Sequence, residues 1–558
     1  MSRLTRTLAL VVVASMSFAR AKPVKGQELP LKYTGKPTQP AITADDAMSR
    51  LYIFADDSMM GREAGEPGGL KGTAYIEREV RRLGLVPAGD NGTFFQNVPL
   101  FVRTVDTSAK VTADSEPINV GTDVFPLLQS ANAISLDGAQ VIYAGNTADQ
   151  ASLIPSDKTR GKIVAVTGSL SGLSRRYPAA AGFLAIRPDV GMNQVRRFIM
   201  RPQTLMRDPS DTARDQMILY VASSAAQKFL GVPFENARPG TVGRTIHGAI
   251  GFKDTNAPAR NVVAIIRGSD PKLRNEYVAI GAHNDHLGLR SGGPLDVDSV
   301  RAFNEMALRI YMKRTGELPD LPGTGLTPDE RASIHVNVDS LRKIRPVRLD
   351  SVYNGADDDG SGSVGALEVA EKFATAKVKP KRSLIFVWHT GEEEDLYGST
   401  WFTDHPTVPR DSIVAQLNID MIGRGEASDI PGGSPDYLQL IGSRRLSTEL
   451  GNLIEAVNNT ETRPFKFDYQ FDAPGHPEQY YCRSDHYEYA RYGIPITFMS
   501  TGGHVDYHQL SDEPQHINYT HLARVASFLA DVAERVANLD HRVVVDKPKP
   551  DPRGECVQ

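Results

Sequence analysis

The chain has 558 residues, 40% hydrophobic and 23% charged, with a formal net charge of −4. That length suits two or three domains with sizeable cores, and the absence of a basic stripe argues against a nucleic-acid partner. Two cysteines, Cys482 and Cys556, exclude both a disulfide scaffold and a thiolate zinc site. They are free either to bridge or to remain thiols, because sequence alone does not bring them within bonding distance.

Residues 1–21 read as a secretory signal peptide. Arg3 and Arg6 precede an apolar run over 7–18, and Ala19-Arg20-Ala21 has the form of an A-x-A cleavage site. A membrane-spanning helix needs about 20 apolar residues, and this run is shorter. Nothing later has transmembrane character, so the expected location is secreted or periplasmic. Removing 1–21 takes away three arginines and no acid, leaving a net charge of about −7.

A Pro-rich lead over 23–40 is followed by a helical stretch from Ala44. This stretch contains Met59-Met60-Gly61-Arg62-Glu63-Ala64-Gly65 and a helix over 72–83, where Tyr75, Ile76, Val80 and Leu83 recur at helical spacing. It forms the N-terminal part, 22–127, of the main domain. Over 128–252 short β-rich runs, such as 140–143 and 162–166, alternate with turns and point to a separate β-rich domain. From Asn261, strands at 261–266, 277–281, 383–389 and 413–419 alternate with helices at 363–376 and 519–539, an α/β layered pattern over 253–540. The runs 383–389 and 413–419 are continuously apolar, as in strands buried on both faces. A tail over 541–558, rich in Pro and charge, is expected to be flexible.

Polar residues interrupt this apolar frame at strand and loop ends. His283-Asn284-Asp285-His286 closes one strand, placing a carboxylate two residues after an imidazole, which suits a zinc ligand held in orientation by an acid. Asp357, Asp358 and Asp359 lie in a Gly-rich loop that opens a helix. The alternating acids and the twelfth-position Glu of a calcium loop are missing there. Glu392-Glu393-Glu394 follows a buried strand, where three adjacent carboxylates are hard to desolvate without a cation. Asp420 stands alone in an apolar run and needs a partner. Tyr507-His508 and the cluster Arg483, Ser484, Asp485 and His486 complete the polar set.

Taken jointly, His283-Asn284-Asp285, Asp357 to Gly362, Gly391-Glu392-Glu393, Asn418-Ile419-Asp420-Met421 and Asp506-Tyr507-His508 resemble metallopeptidase family twenty-eight. This is the co-catalytic zinc aminopeptidase family, which also includes glutamate carboxypeptidases, glutaminyl cyclases and the transferrin receptor. The resemblance implies an α/β fold, a three-layer mixed central sheet flanked by helices, with an inserted β-rich protease-associated domain at 128–252 carried by Gly161-Lys162-Ile163-Val164. It implies a secreted exopeptidase acting on peptides, most simply an aminopeptidase, with a carboxypeptidase as the alternative. A receptor-like binding module would have lost its ligands.

Residue by residue, the resemblance implies two zinc ions per chain. One would sit on His283 and Asp420, the other on Glu393 and His508, with Asp358 bridging. Glu392 would be the general base, Asp285 would orient His283, and Tyr507 would stabilise an oxyanion. Arg483, Ser484, Asp485 and His486 would line the substrate pocket. Spacing to Gly398-Ser399 selects Glu392-Glu393 over Glu393-Glu394, and the extra acid at 394 departs from the family's usual apolar residue. Between His283 and Asp358 lies an insertion, 289–350. It carries an amphipathic segment over 300–312 and a Pro/Gly-rich stretch over 318–328, and is either a lid or specificity wall, or a peripheral decoration.

Overall fold

The computed structural model describes residues 29–127, 134–207, 216–319 and 321–558; the expected signal peptide lies outside them. The main sheet has ten strands. Nine follow the order Gln203–Met206, Phe95–Val105, Phe252–Ile266, Ser383–His389, Tyr277–His283, Ile413–Ile419, Ile496–Ser500, Tyr437–Ile441 and Lys466–Asp468, and Val86–Pro87 pairs with Phe252–Ile266. The four central strands, Ser383–His389 to Ile496–Ser500, run parallel, and antiparallel partners flank them.

Side chains on these strands alternate between two cores. Val278, Ile280, Ala282, Leu384, Phe386 and Trp388 face one layer of helices, Ala44–Phe54, Pro67–Arg82, Gly362–Thr375, Thr448–Asn458 and Tyr519–Ala537. Tyr277, Ala279, Ile385 and Val387 face the opposite layer, where Phe402 and Tyr489 project from Tyr397–Asp404 and His486–Ala490. Covering both faces is what allows uninterrupted apolar strands, and each buried side chain of this size stabilises by roughly 1.5–3 kcal/mol. The last helix is capped by Asn518, which accepts from the His521 N–H, and buries Leu522, Val525, Leu529, Val532 and Val536.

An eight-stranded sheet over residues 111–247 stands apart with its own core, which includes Val141, Ile163, Leu184 and Val221. It begins ahead of residue 128, because Val111–Ala113 pairs with Val242–His247 and Val124–Pro126 pairs with Met217–Ala222. The chain leaves the main sheet at Val105 and resumes it at Phe252, its paired neighbour, and between them only Gln203–Met206 returns to that sheet, on the outer edge of Phe95–Val105.

The insertion contains the helices Val297–Thr315, Pro328–Ala332 and Val338–Ile344, and its neck is closed by Leu295–Asp296 pairing with Leu349–Asp350. The segment after His541, expected to be flexible, is packed instead. Cys482 and Cys556 form a disulfide, Val543 is buried, and the Gln558 side chain accepts from the Tyr481 N–H and donates to the Phe471 carbonyl. Its prolines and charges prevent regular structure without preventing docking. No helix among the described residues is long and apolar enough to cross a membrane.

Candidate metal centre

The chemistry-bearing residues gather at the carboxyl ends of the central parallel strands, where ligands bind in open α/β sheets. His283 ends its strand in register with His389, and Asp420 directly follows Ile413–Ile419. The Asp358 loop leads into helix Gly362–Thr375. Its turn depends on Gly355 (φ 54°), where a Cβ would lie 2.3 Å from the Asp358 carbonyl and 2.5 Å from the His286 ring. The N–H groups of Asp357 and Asp358 donate to the Asp512 carboxylate (3.0–3.1 Å), and Asp359 accepts from the N–H groups of His283, Met421 and Gly362. Met421 (φ 57°) and His508 (φ 56°) adopt left-handed backbone, a strain of about 1–3 kcal/mol each that active sites commonly store.

Two donor sets share Asp358. In the first, His283 Nε2 is 3.2 Å from Asp358 Oδ1 and 3.5 Å from Asp420 Oδ1. In the second, His508 Nε2 is 3.0 Å from both Asp358 Oδ2 and Glu393 Oε2, and His286 Nδ1 is 2.5 Å from Glu393 Oε1. The sets His283–Asp358–Asp420 and His286–Asp358–Glu393 each have the proximity to hold a cation. Buried atoms that find no hydrogen bond include His283 Nε2, His286 Nε2 and Asp358 Oδ2. Such atoms are costly unless something else occupies them, and imidazole with carboxylate is a donor set that zinc accepts. The residues present therefore suit zinc.

Charge couples the two sets. Burial alone would push Asp358 up, yet hydrogen bonds to His283 and His508 hold it well below the usual carboxylate range. Glu393 is held at about 2, because His508 and His286 outweigh burial and the nearby Asp358 charge. Burial would lower His508, yet Glu393 and Asp358 lift it to about 10. Glu392 behaves oppositely. Burial first, then the Asp420 and Glu393 charges, push it well above its ordinary value although His283 lies near. Its Oε2 is 3.8 Å from His283 Nε2. Glu394 is also pushed up, by burial and then by Asp285, and its Oε2 is buried without a partner.

Of the expected site residues, the structure brings together His283, Asp358, Glu392, Glu393, Asp420 and His508. Tyr507 lies beside them, its ring stacked on His508 with centroids 4.0 Å apart and its hydroxyl accepting from Arg483 at 3.4 Å. Asp285 is adjacent, its Oδ1 3.8 Å from His283 Nδ1. The His283 Nδ1 faces the Asp285 backbone carbonyl at 3.2 Å, whereas the Asp285 carboxylate accepts from the N–H groups of Glu392 and Glu393. Arg483 and Ser484 line a cavity of about 210 Å³ over the centre, and the Ser484 hydroxyl donates to Asp420 Oδ2 at 2.8 Å. Asp485 and His486 are a correction to the expected pocket lining. Both are fully buried, Asp485 against His389 (3.2 Å) and His486 stacked on Phe498. A short helix starting at His486 turns them into the core while Arg483 and Ser484 remain on its approach.

Three contributors were not foreseen. His286, three residues after His283, was visible as a second imidazole in the same segment. Asp512 had no local signal. Arg62, inside the Gly61 to Gly65 run, is fully buried and donates to the carbonyls of Phe54, Asn284, Asn354 and Gly355 at 2.6–3.1 Å. It thereby ties the His283 loop to the Asp358 loop.

A model of peptidase family M28 matches residues 331–533, a stretch holding Asp358, Glu392, Glu393, Asp420 and His508 but not His283. Leupeptin-inactivating enzyme 1 of Streptomyces exfoliatus is 41% identical over 78 residues, 13% of this chain and 18% of that protein. Leucine aminopeptidase 2 of Trichophyton equinum is 31% identical over 153 residues, 27% of this chain and 28% of that protein. The chain thus spans less than a third of the length of these curated relatives. Among solved structures, an aminopeptidase from Aneurinibacillus sp. strain AM-1 aligns over 91% of this chain and 97% of its own, at 16% identity and a TM-score of 0.47.

Proposed function

We propose that the chain is a member of peptidase family M28, whose model matches residues 331–533, and that it is a two-zinc exopeptidase releasing N-terminal residues from peptides outside the cytoplasm. The observation that carries this reading is the pair of donor sets sharing Asp358, with buried imidazole and carboxylate atoms that no protein group satisfies. Zinc held by His283 and Asp420, and by Glu393 with His508 or His286, would polarise the scissile carbonyl and make an attacking water more acidic.

The remaining steps belong to the protein. Glu392, buried beside His283 and raised in pKa, takes the proton of the attacking water at its carboxylate and returns it to the leaving amine. Tyr507, pushed up by burial and then by the Asp358 charge, keeps its proton and can donate a hydrogen bond to a developing oxyanion. Ser484 fixes one oxygen of Asp420, and Asp285 fixes the backbone of Glu392 and Glu393. Export is supported by the signal-like residues 1–21 and by the Cys482–Cys556 bridge, which persists in oxidising compartments. The eight-stranded sheet is read as the protease-associated domain.

Carboxypeptidase action is the second reading, favoured by the Arg483 cation in the cavity wall. Against it, Glu478 pairs with Arg483 at 3.2 Å, and Glu317 and Glu478 both line the cavity, offering carboxylates to a free amine. The test is hydrolysis of aminoacyl-anilides against N-blocked dipeptides with a free carboxylate, after chelation and after zinc is restored. Zinc-dependent release from the anilides alone supports the aminopeptidase. Release from the blocked dipeptides alone reverses the assignment, and activity indifferent to chelation removes the metal from it.

A further inference from the structure

The cavity over the metal centre is not closed by the main domain. Leu308, Gly316, Glu317, Leu318, Pro319 and Pro322 of the insertion form one wall. Met421, Ile430, Phe471 and Phe498 of the main domain form another, and Asp358, Glu392, Asp420 and His508 lie on the same surface. Leu308 and Pro322 are already buried within the protein, so this wall is packed rather than draped over the opening.

Its anchoring is equally specific. Arg301 donates to Asp506 at 2.9 Å, and Asp506 is buried and also paired with Arg424. Asn304 donates to Gln509 at 3.1 Å, and Arg348 to Glu513 at 2.7 Å. All three contacts fall on residues 506–513, the segment that carries Tyr507 and His508. The insertion is thus joined to the catalytic loop along its length, while its neck is closed by the ribbon Leu295–Asp296 with Leu349–Asp350.

We propose that the insertion is a fixed specificity wall, with Leu308 and Leu318 as specificity-determining residues for a large apolar side chain next to the scissile bond and Arg301 as a positioning residue for the loop. This rests on the peptidase reading of the site. An apolar surface on two sides, with the metal ligands at its floor, rewards a side chain that fills the space and leaves a small one unsupported. Glu317 lies at the end of the same wall and selects against a second carboxylate there.

The experiment compares the full chain with Leu308→Ala, Leu318→Ala, Arg301→Ala and Arg301→Lys, zinc-loaded and matched for Tm. The leucyl-over-alanyl ratio of kcat/KM on aminoacyl-anilides should fall by about tenfold in either leucine variant, the scale set by removing apolar contacts in a side-chain pocket. Arg301→Ala should lower kcat for both substrates alike with the ratio kept, and Arg301→Lys should restore part of it. In parallel, binding of leucinol and alaninol is measured by calorimetry, which needs no turnover. A parent protein that hydrolyses nothing but prefers leucinol, with the preference lost in Leu318→Ala, leaves the wall standing and the peptidase reading fallen. Ratios unchanged in both leucine variants, in rate and in binding, overturn the wall whatever the activity.

Discussion

The two sheets of this chain invite comparison. The main sheet covers both faces with helices, yet its strand ends bury His283, Asp285, Asp358, Asp420 and many other polar groups. Among the described residues, the buried side-chain atoms found without a hydrogen bond lie in the main domain and its insertion, and none lies within 111–247. Among the described residues from 111 to 247, the buried polar side chains are Thr147 and Thr159, and both hydroxyls donate to backbone carbonyls. One region is self-sufficient and the other is incomplete. Incompleteness at His283, His286 and Asp358, rather than the number of charges, singles out the candidate centre, because leaving a buried polar group unpaired costs about 1–3 kcal/mol.

The sharpest break of this contrast is at Glu392. Replacing it by Ala should remove its proton transfer and lower kcat by roughly 10²–10⁴-fold, while zinc content, read by atomic emission, remains near two per chain. Loss of one zinc with the activity would instead make Glu392 a ligand and shift the Glu392-Glu393-Glu394 register by one place.

Next in size is Arg62→Met. Four buried carbonyls lose their donor at once, so stability should fall by about 3 kcal/mol or more in denaturant titration. Zinc affinity should also drop by about 10–100-fold, as when a group supporting metal ligands is lost. Equal destabilisation with zinc affinity unchanged would reduce Arg62 to a structural residue.

These two residues also mark what the sequence made legible. Strands such as Ser383–His389 and Ile413–Ile419 were readable to the residue, because continuous apolar runs bounded by polar ends have few other meanings. The residues expected as ligands stand out because they sit at those ends. Arg62 and Asp512 were not, since their roles arise from carbonyls and amides hundreds of residues away, with no local period or motif to announce them. The inward turn of Asp485 and His486 was missed for a related reason. Four consecutive polar residues look alike in sequence, and only the helix beginning at His486 separates those facing the cavity from those facing the core.

A smaller effect is expected from the disulfide. Cys482→Ser with Cys556→Ser opens a loop with a sequence separation of 74, for which chain entropy sets a loss of up to about 4 kcal/mol. The bridge lies next to Arg483, at the cavity, so calorimetry should show a lower Tm and anilide assays a modest rise in KM. A rise in KM with Tm unchanged would show that the bridge shapes the cavity wall more than it stabilises the fold.

The least effect on chemistry should come from excising the second sheet. Val105 and Phe252 are paired neighbours, and the Asp106 N–H donates to the Gly251 carbonyl at 3.0 Å, so a short turn replacing 107–250 would close an existing antiparallel ladder. The excision does remove Gln203–Met206, leaving Phe95–Val105 as an open edge that invites self-association. It removes no metal ligand and no residue lining the cavity. With independent domains, kcat/KM on aminoacyl-anilides should stay within about threefold of the parent, and zinc content should be unchanged. A loss confined to long peptides would give the second sheet a share in binding the substrate beyond the cleaved bond. A loss of zinc would mean that the self-sufficient region supports the incomplete one, and the contrast between the two sheets would fail.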